Sequence, residues 1–474
     1  MAISKNVRKE AELIRTGYAI TIPPDMAIDK AIETLRQRKQ EEEQEVAVSE
    51  RINAFPPDGA VALQRAMAKM FGWTAMVSIE SMFGSRPPKM ISVEVGFNET
   101  IKVPWGRMTI PGVEGYIETS VADDDQMGMV FVVNGVVKQK HYKRIQDLCD
   151  LARDIVLSDS IYKGKAIKVD FSSDNYFNNL KFLDLSRVNP EELVFSRDVE
   201  AEIESCILVP IKDSEKCRSV GIPVKRGVLM EGVYGTGKSL TAYVAARACI
   251  ENGRTFFLVD NVDHLKRAIE LAARYAPALV FAEDIDRAVG LERTDKVDAI
   301  LNTVDGIAHK DQEVIIVLTT NHVEKINAAM LRPGRLDAVI SVTPPDSEAV
   351  QRLVTIYARG ILNCSEPVMQ EIGDKLQGHI PAVIREVVER AKLISINNNG
   401  HETGKISIGD RDIRLAAKSV LRQVDILRSR DVTAPAMSID TLVQRAVLDA
   451  VGEKSQEKIL RIDKKVERIE RNVC

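Results

Sequence analysis

The apolar positions of this chain change rhythm at about residue 188. Before it, helix-spaced and strand-spaced stretches alternate. DMAIDKAIETLRQRKQEEE carries helical spacing behind Pro23 and Pro24, with Asp25 placed as its N-cap, and DGAVALQRAMAKMFGW predicts a second helix. ISVEVGFNETIKVPWGRMTI, YIETSVA and MVFVVNGVVKQK alternate or run apolar between Gly, Asn and Pro, so they predict strands. HYKRIQDLCDLARDIVL returns to helix. Residues 1–187 are therefore expected to form an α+β N-terminal domain for recognition or scaffolding, and no catalytic pattern falls within them.

From residue 188 the chain repeats strand, loop and helix, which predicts an α/β domain built on a parallel sheet. RGVLMEG, TFFLVD, ALVFAED and EVIIVLTT read as strands; LTAYVAARACIEN, VDHLKRAIELAARY and TDKVDAILNTVDGI read as helices. This domain is expected over 188–344, a helical lid over 345–430 and a helical tail over 431–474. In the tail Ile459, Ile462, Val466, Ile469 and Val473 step by 3, 4, 3 and 4. A seam that short does not establish a coiled coil, so an oligomer contact and a helix lying on its own domain both stay open.

Composition narrows the setting more than the fold. At 474 residues there is room for about three domains of ~150 residues. The 45% hydrophobic and 28% charged content is that of a globular chain, and a net charge of -4 gives no general attraction to nucleic acid. The cysteines at 149, 206, 217, 249, 364 and 474 have no metal-ligand spacing, which suits a reducing compartment. The first residues contain no apolar signal core and no apolar run is long enough to span a bilayer, so a cytoplasmic protein without membrane contact is expected.

The candidate chemistry begins at GVYGTGKS, residues 232–239, which follows a predicted strand and opens a predicted helix. Gly232, Val233, Tyr234, Gly235, Thr236, Gly237, Lys238, Ser239 and Leu240 are the expected nucleotide contacts. Gly235 and Gly237 let the backbone turn its N–H groups toward phosphate, Lys238 meets the β/γ charge and Ser239 ligates Mg²⁺. LVFAED then ends a strand in Glu283 and Asp284, the reverse of the common Asp-Glu order. Glu283 is expected on the metal side and Asp284 on the side of the attacking water. Reversal moves each carboxylate by one methylene, about 1.5 Å along the chain. A shift of that size without compensation costs on the order of 10²-fold in rate. Further along, EVIIVLTTN ends in Thr320 and Asn321, and LRPGRLD offers Arg332 and Arg335 as fingers for a neighbouring subunit's γ-phosphate.

In combination these motifs resemble the AAA+ ATPases with a second region of homology, over about residues 190–395. Within that group the module is similar to the ATPases that assemble mitochondrial respiratory complex III. That resemblance rests on the Glu-Asp order, on Leu301, Asn302, Asp305 and Gly306 in an L-N-x-x-D-G segment, and on TTNH at the sensor strand. It implies a P-loop NTPase fold with a helical lid, ATP and Mg²⁺ as cofactors, and a homo-oligomeric ring of six or seven subunits acting on a protein client. It also implies that the reversed pair still hydrolyses ATP. The lid's Gly-Ala pair is replaced by Pro381–Ala382, Tyr357 stands where a histidine packs near adenine, and no aromatic-hydrophobic-Gly pore loop follows the second strand. Two other readings are an ATP-binding assembly switch with little turnover and a loader-type ATPase on nucleic acid. The tail's basic residues are interleaved with acids, which favours a solvated helix over the loader.

Overall fold

A computed structural model of the chain describes residues 14–16, 19–22, 26–72, 79–81, 84–86, 89–124, 128–173, 175–288, 313–323, 336–399 and 406–431. Asp25, the segment from Leu301 to Gly306, Arg332, Arg335 and the tail heptads lie outside these residues. The chain divides into two compact units, one ending at Thr343 and one beginning at Pro344.

In the first unit helix α1 (Ile28–Glu42) precedes strand β1 (Glu45–Ile52) and helix α2 (Pro56–Phe71). Strands β2 (Lys89–Gly96) and β3 (Glu99–Trp105) form a hairpin. They are followed by β4 (Arg107–Met108), β5 (Gly115–Asp124), β6 (Gly128–Lys138) and helix α3 (Gln139–Asp159). An antiparallel sheet runs in the order β1-β6-β5-β4. Pro56 and Pro57 sit at the first turn of α2, where a missing N–H breaks no helical bond. Gly59 lets that helix lie on the sheet, because a Cβ there would come within 2.4 Å of Phe131.

The larger sheet has seven strands. Strands β7 (Ala166–Val169) and β8 (Leu180–Phe182) precede helix α4 (Arg197–Ile203), strand β9 (Arg226–Glu231) and helix α5 (Lys238–Glu251). Then come β10 (Thr255–Val259), helix α6 (Leu265–Arg274), β11 (Ala278–Ala282), β12 (Val314–Thr320) and β13 (Ala338–Ser341). The order is β8-β7-β10-β11-β12-β9-β13, parallel throughout except for β8. The sheet thus starts with strands that precede residue 188, ahead of the boundary expected from sequence. β7 is four residues with Lys168 inside it, too short and mixed to stand out as a strand.

Both faces of this sheet are covered, which is why its strands are continuous apolar runs. Alternate residues serve different cores. Phe257, Val280, Ile316 and Leu318 face a core shared with Phe55, Leu63, Phe131 and Leu148 of the N-terminal elements. Phe256, Leu258, Phe281 and Val317 face one shared with Ile203, Ile207 and Ala245. The N-terminal α+β region therefore supplies one of the two layers over the α/β sheet.

A buried polar joint ties that layer to the strand that carries the acids. Asp58 on α2 accepts hydrogen bonds from Ile161 N (3.0 Å), Ser160 Oγ (2.8 Å) and the Tyr275 hydroxyl (3.0 Å). Tyr275, in the turn between α6 and β11, in turn accepts from Phe55 N at 3.0 Å. Burial pushes the Asp58 carboxyl up to about 6, against the pull of these hydrogen bonds.

The second unit is a helical subdomain: α7 (Ser347–Ala358), α8 (Glu366–Leu376), α9 (Pro381–Asn399) and α10 (Asp410–Asp431), with the short pair β14 (Leu362–Asn363) and β15 (Ile408–Gly409). Asp346 caps α7 by accepting from Ala349 N at 2.8 Å. Leu353, Ile372, Val387 and Ile413 form part of its buried interior.

Asp58 binds its proton more tightly folded than unfolded, so its contribution to stability falls as pH rises from about 4 to about 6. Asp58→Asn removes that titration. In denaturant melts the amide variant is expected to gain on the unaltered chain across this window, by on the order of 3 kcal/mol, whereas a constant difference refutes the joint's titration.

Candidate active site

The candidate phosphate-binding loop joins β9 to α5, so it leaves the end of a buried strand and runs into a helix N-terminus. Its glycines have specific reasons. Gly237 starts the helix at φ +109°, and Gly232 passes so close to the residue that follows β13 that a Cβ would sit 2.2 Å from Val342 O. Gly235 also has positive φ, +79°. Val233 and Tyr234 are exposed, and Thr236 Oγ1 braces the loop by donating to Val233 O at 2.9 Å. Ser239 and Leu240 occupy the first turn of α5, and Ser239 is exposed.

Lys238 is buried at the head of α5, and its ammonium makes three short contacts. It donates to Gly232 O (2.6 Å), Val233 O (2.9 Å) and Asn321 Oδ1 (2.9 Å). Burial draws its pKa below the ordinary lysine value, while Asp284, Asp286 and Glu231 pull the other way. Asn321 stands just past the end of β12, between the loop strand β9 and the acid strand β11 in the sheet order. Its amide is polarised in one sense: the oxygen faces Lys238 and the nitrogen donates to Asp284 Oδ1 at 2.8 Å. Three of the residues read from sequence as catalytic or phosphate-binding, Lys238, Asp284 and Asn321, thus form one chain of hydrogen bonds.

The two acids part at the strand end. Glu283 keeps to the ladder, with its N–H bonded to Val259 O at 2.9 Å. Its Oε1 is buried and has no hydrogen-bond partner among the described residues. A buried carboxylate oxygen left unpaired is costly, and a magnesium ion or its bound water is the kind of group that would satisfy it. Asp284 turns off the strand at φ +48° and gives its N–H to Thr319 Oγ1 at 3.0 Å.

Two residues that sequence reading passed over complete this edge. Asp286 Oδ1 accepts from Thr320 Oγ1 (2.9 Å) and from Asn321 N (3.0 Å), and Thr319 holds Asp284. The signals were small: a third acid two positions after Asp284, and hydroxyls at the end of an otherwise apolar strand. In the helical subdomain Tyr357 is 9% exposed on α7, and the Arg385 guanidinium lies 4.7 Å over its ring. Pro381–Ala382 opens α9.

Residues 228–344 match the model of the "ATPase family associated with various cellular activities (AAA)". The chain is 26% identical over 246 residues to the ATP-dependent zinc metalloprotease FtsH of Lactococcus lactis subsp. lactis (strain IL1403), covering 47% of this chain and 35% of that protein. It is 26% identical over 248 residues to the 26S proteasome regulatory subunit 8 homolog of Schizosaccharomyces pombe (strain 972 / ATCC 24843), covering 47% and 59%. FtsH of Synechococcus sp. (strain JA-2-3B'a(2-13)) gives 26% over 257 residues, covering 49% and 40%. The chain therefore spans less than two thirds of each of these relatives. It carries an AAA ATPase domain of α/β P-loop NTPase fold, homologous to the AAA modules of FtsH and the proteasome regulatory subunits. It has no H-E-x-x-H sequence. Among the described residues no helix is long and apolar enough to cross a membrane.

Lys238→Ala removes the cation that the loop is wrapped around. Affinity for ATP is expected to fall at least about 100-fold, as measured with a fluorescent ATP analogue, in line with loss of a buried charge contact; binding within threefold of the unaltered chain contradicts the assignment.

Proposed function

We propose that this chain hydrolyses ATP at the β9–α5 loop and uses the energy, as a homo-oligomeric ring, to remodel a protein client. The single observation that carries the reading is the hydrogen-bonded line Lys238–Asn321–Asp284 across three neighbouring strands. A relic that merely bound nucleotide would have no need of a sensor amide held between the phosphate lysine and an acid.

In this reading the γ-phosphate competes with Gly232 O and Val233 O for the Lys238 ammonium, so binding exchanges carbonyl acceptors for charged phosphoryl ones. Asp284, held by Asn321, orients the attacking water and takes its proton. Glu283 and Ser239 are the residues that would hold Mg²⁺, which when bound supplies charge neutralisation at the β- and γ-oxygens. Asn321 holds Asp284 at a fixed distance from the lysine, so the reversed acid order is compatible with turnover. The Glu-Asp order and TTNH support placing the module nearest the complex III assembly ATPases. For Tyr357 to stack on adenine, it must use the ring face opposite Arg385.

Arg332 and Arg335 are proposed to complete the site of the adjacent protomer. Such fingers need a head-to-tail neighbour for every subunit, which a closed ring provides. The names of the relatives, a protease and a proteasome subunit, support a protein client for this chain, and we place the client-facing role in the N-terminal layer. Neither nucleic acid nor a membrane is part of the proposal, and a cytoplasmic setting is.

Phosphate release per subunit is expected to rise with protein concentration as rings assemble. Asp284→Asn should bind ATP with affinity within a few-fold and release phosphate at least about 100-fold more slowly. Arg332→Ala should bind and turn over poorly, because the finger is worth ~10³–10⁵ in rate. Undiminished phosphate release by Asp284→Asn rejects Asp284 as the water-side acid, and no release at any concentration of the unaltered chain favours the assembly-switch reading.

A further inference from the structure

The described residues include three non-glycine positions with positive φ: Asn98, Asp284 and Arg359. Asn98 lies in the β2–β3 hairpin turn and Arg359 caps α7, where left-handed backbone is ordinary. Asp284 is different. It follows a strand buried on both faces, at the point where the chain must leave the sheet.

Left-handed backbone brings Cβ close to the following carbonyl, and short polar Asn and Asp accept it far more readily than longer side chains do. The conformation is held from outside by hydrogen bonds to β12. The Asp284 N–H is taken by Thr319 Oγ1 at 3.0 Å, and its carboxylate by Asn321 Nδ2 at 2.8 Å. Two residues further on, buried Asp286 accepts from Thr320 Oγ1 and Asn321 N at 2.9 and 3.0 Å. The end of β11 and the end of β12 therefore clasp each other reciprocally, each supplying a hydroxyl or carboxylate to the other's backbone.

We propose that this clasp dictates the order of the acid pair: a left-handed residue 284, fixed by Thr319 directly and by Asp286 through Asn321, selects Asp there and leaves the longer Glu for the extended position 283. Thr319 and Asp286 are then positioning residues for Asp284 and Asn321. The reversed pair is in this account a consequence of the backbone at the strand end. The kinetic part rests on the hydrolysis reading above; the conformational part does not.

The test compares chains of all 474 residues carrying Asp284→Asn, Asp284→Glu, the exchange Glu283→Asp with Asp284→Glu, Asp286→Ala and Asp286→Asn. Melting without nucleotide or Mg²⁺ reads the backbone preference alone. Asp284→Asn is expected to melt at or above the unaltered chain, and both chains with Glu at 284 about 2–4 °C below it. In steady-state assays the exchanged chain and Asp286→Ala should lose at least about tenfold in kcat with the Kd for ATP within threefold. Asp286→Asn should recover most of that loss, because its amide oxygen accepts the same two bonds. An exchanged chain that melts and turns over like the unaltered one overturns the proposal, as does an Asp286→Ala chain with full kcat. If the unaltered chain binds ATP and releases no phosphate, hydrolysis fails as a reading, and the melting order still decides the backbone claim.

Discussion

The carboxamide of Asn321, held between the Lys238 ammonium and the Asp284 carboxylate, is the contact on which the rest of the site depends. It exists because β12 lies between β9 and β11 in a sheet whose neighbouring strands there run parallel. Parallel pairing brings the C-terminal ends of all three strands to one edge, and that edge is where ligands of open α/β sheets bind. A change in strand order would separate the lysine from the acid without altering either residue. The chemistry is thus a property of the sheet first and of the side chains second.

The sheet in turn depends on being buried twice. Phe256 and Phe257 are successive residues that enter different cores, one roofed by α4 and α5 and the other by the N-terminal layer. The Asp58–Tyr275 joint sits under that second layer, at the turn that feeds β11. The acids at one end of β11 are consequently anchored at the other end by a residue more than two hundred positions earlier. A layer built this way is part of the framework of the ATPase domain's sheet, not an appendage on a linker.

Much of this was legible in the sequence. GVYGTGKS after an apolar strand, LVFAED, and EVIIVLTTN are local signals, and each fell on the element expected. The strands β1, β7 and β8 were not legible. Glu45–Ile52 follows a run of glutamates, while Ala166–Val169 and Leu180–Phe182 are short segments with lysine inside them. The strand character of β1 and β7 comes from partners far along the chain, such as Phe257 opposite Ile167, and among the described residues β8 pairs only with β7, which no local pattern reports. The same holds for Thr319 and Asp286. Their residue types are unremarkable on a strand end, and only the pairing of β11 with β12 gives them work. Left-handed backbone at Asp284 has no sequence signature beyond the choice of Asp itself.

The most direct measurement is single-turnover phosphate release by Asn321→Ala at saturating ATP and Mg²⁺, alongside its ATP affinity. The account predicts affinity within a few-fold of the unaltered chain, since the loop and Lys238 remain, and release slowed on the order of 100-fold because Asp284 loses its fixed partner. Release at the unaltered rate would show that the amide bridge plays no part in turnover and would contradict the account.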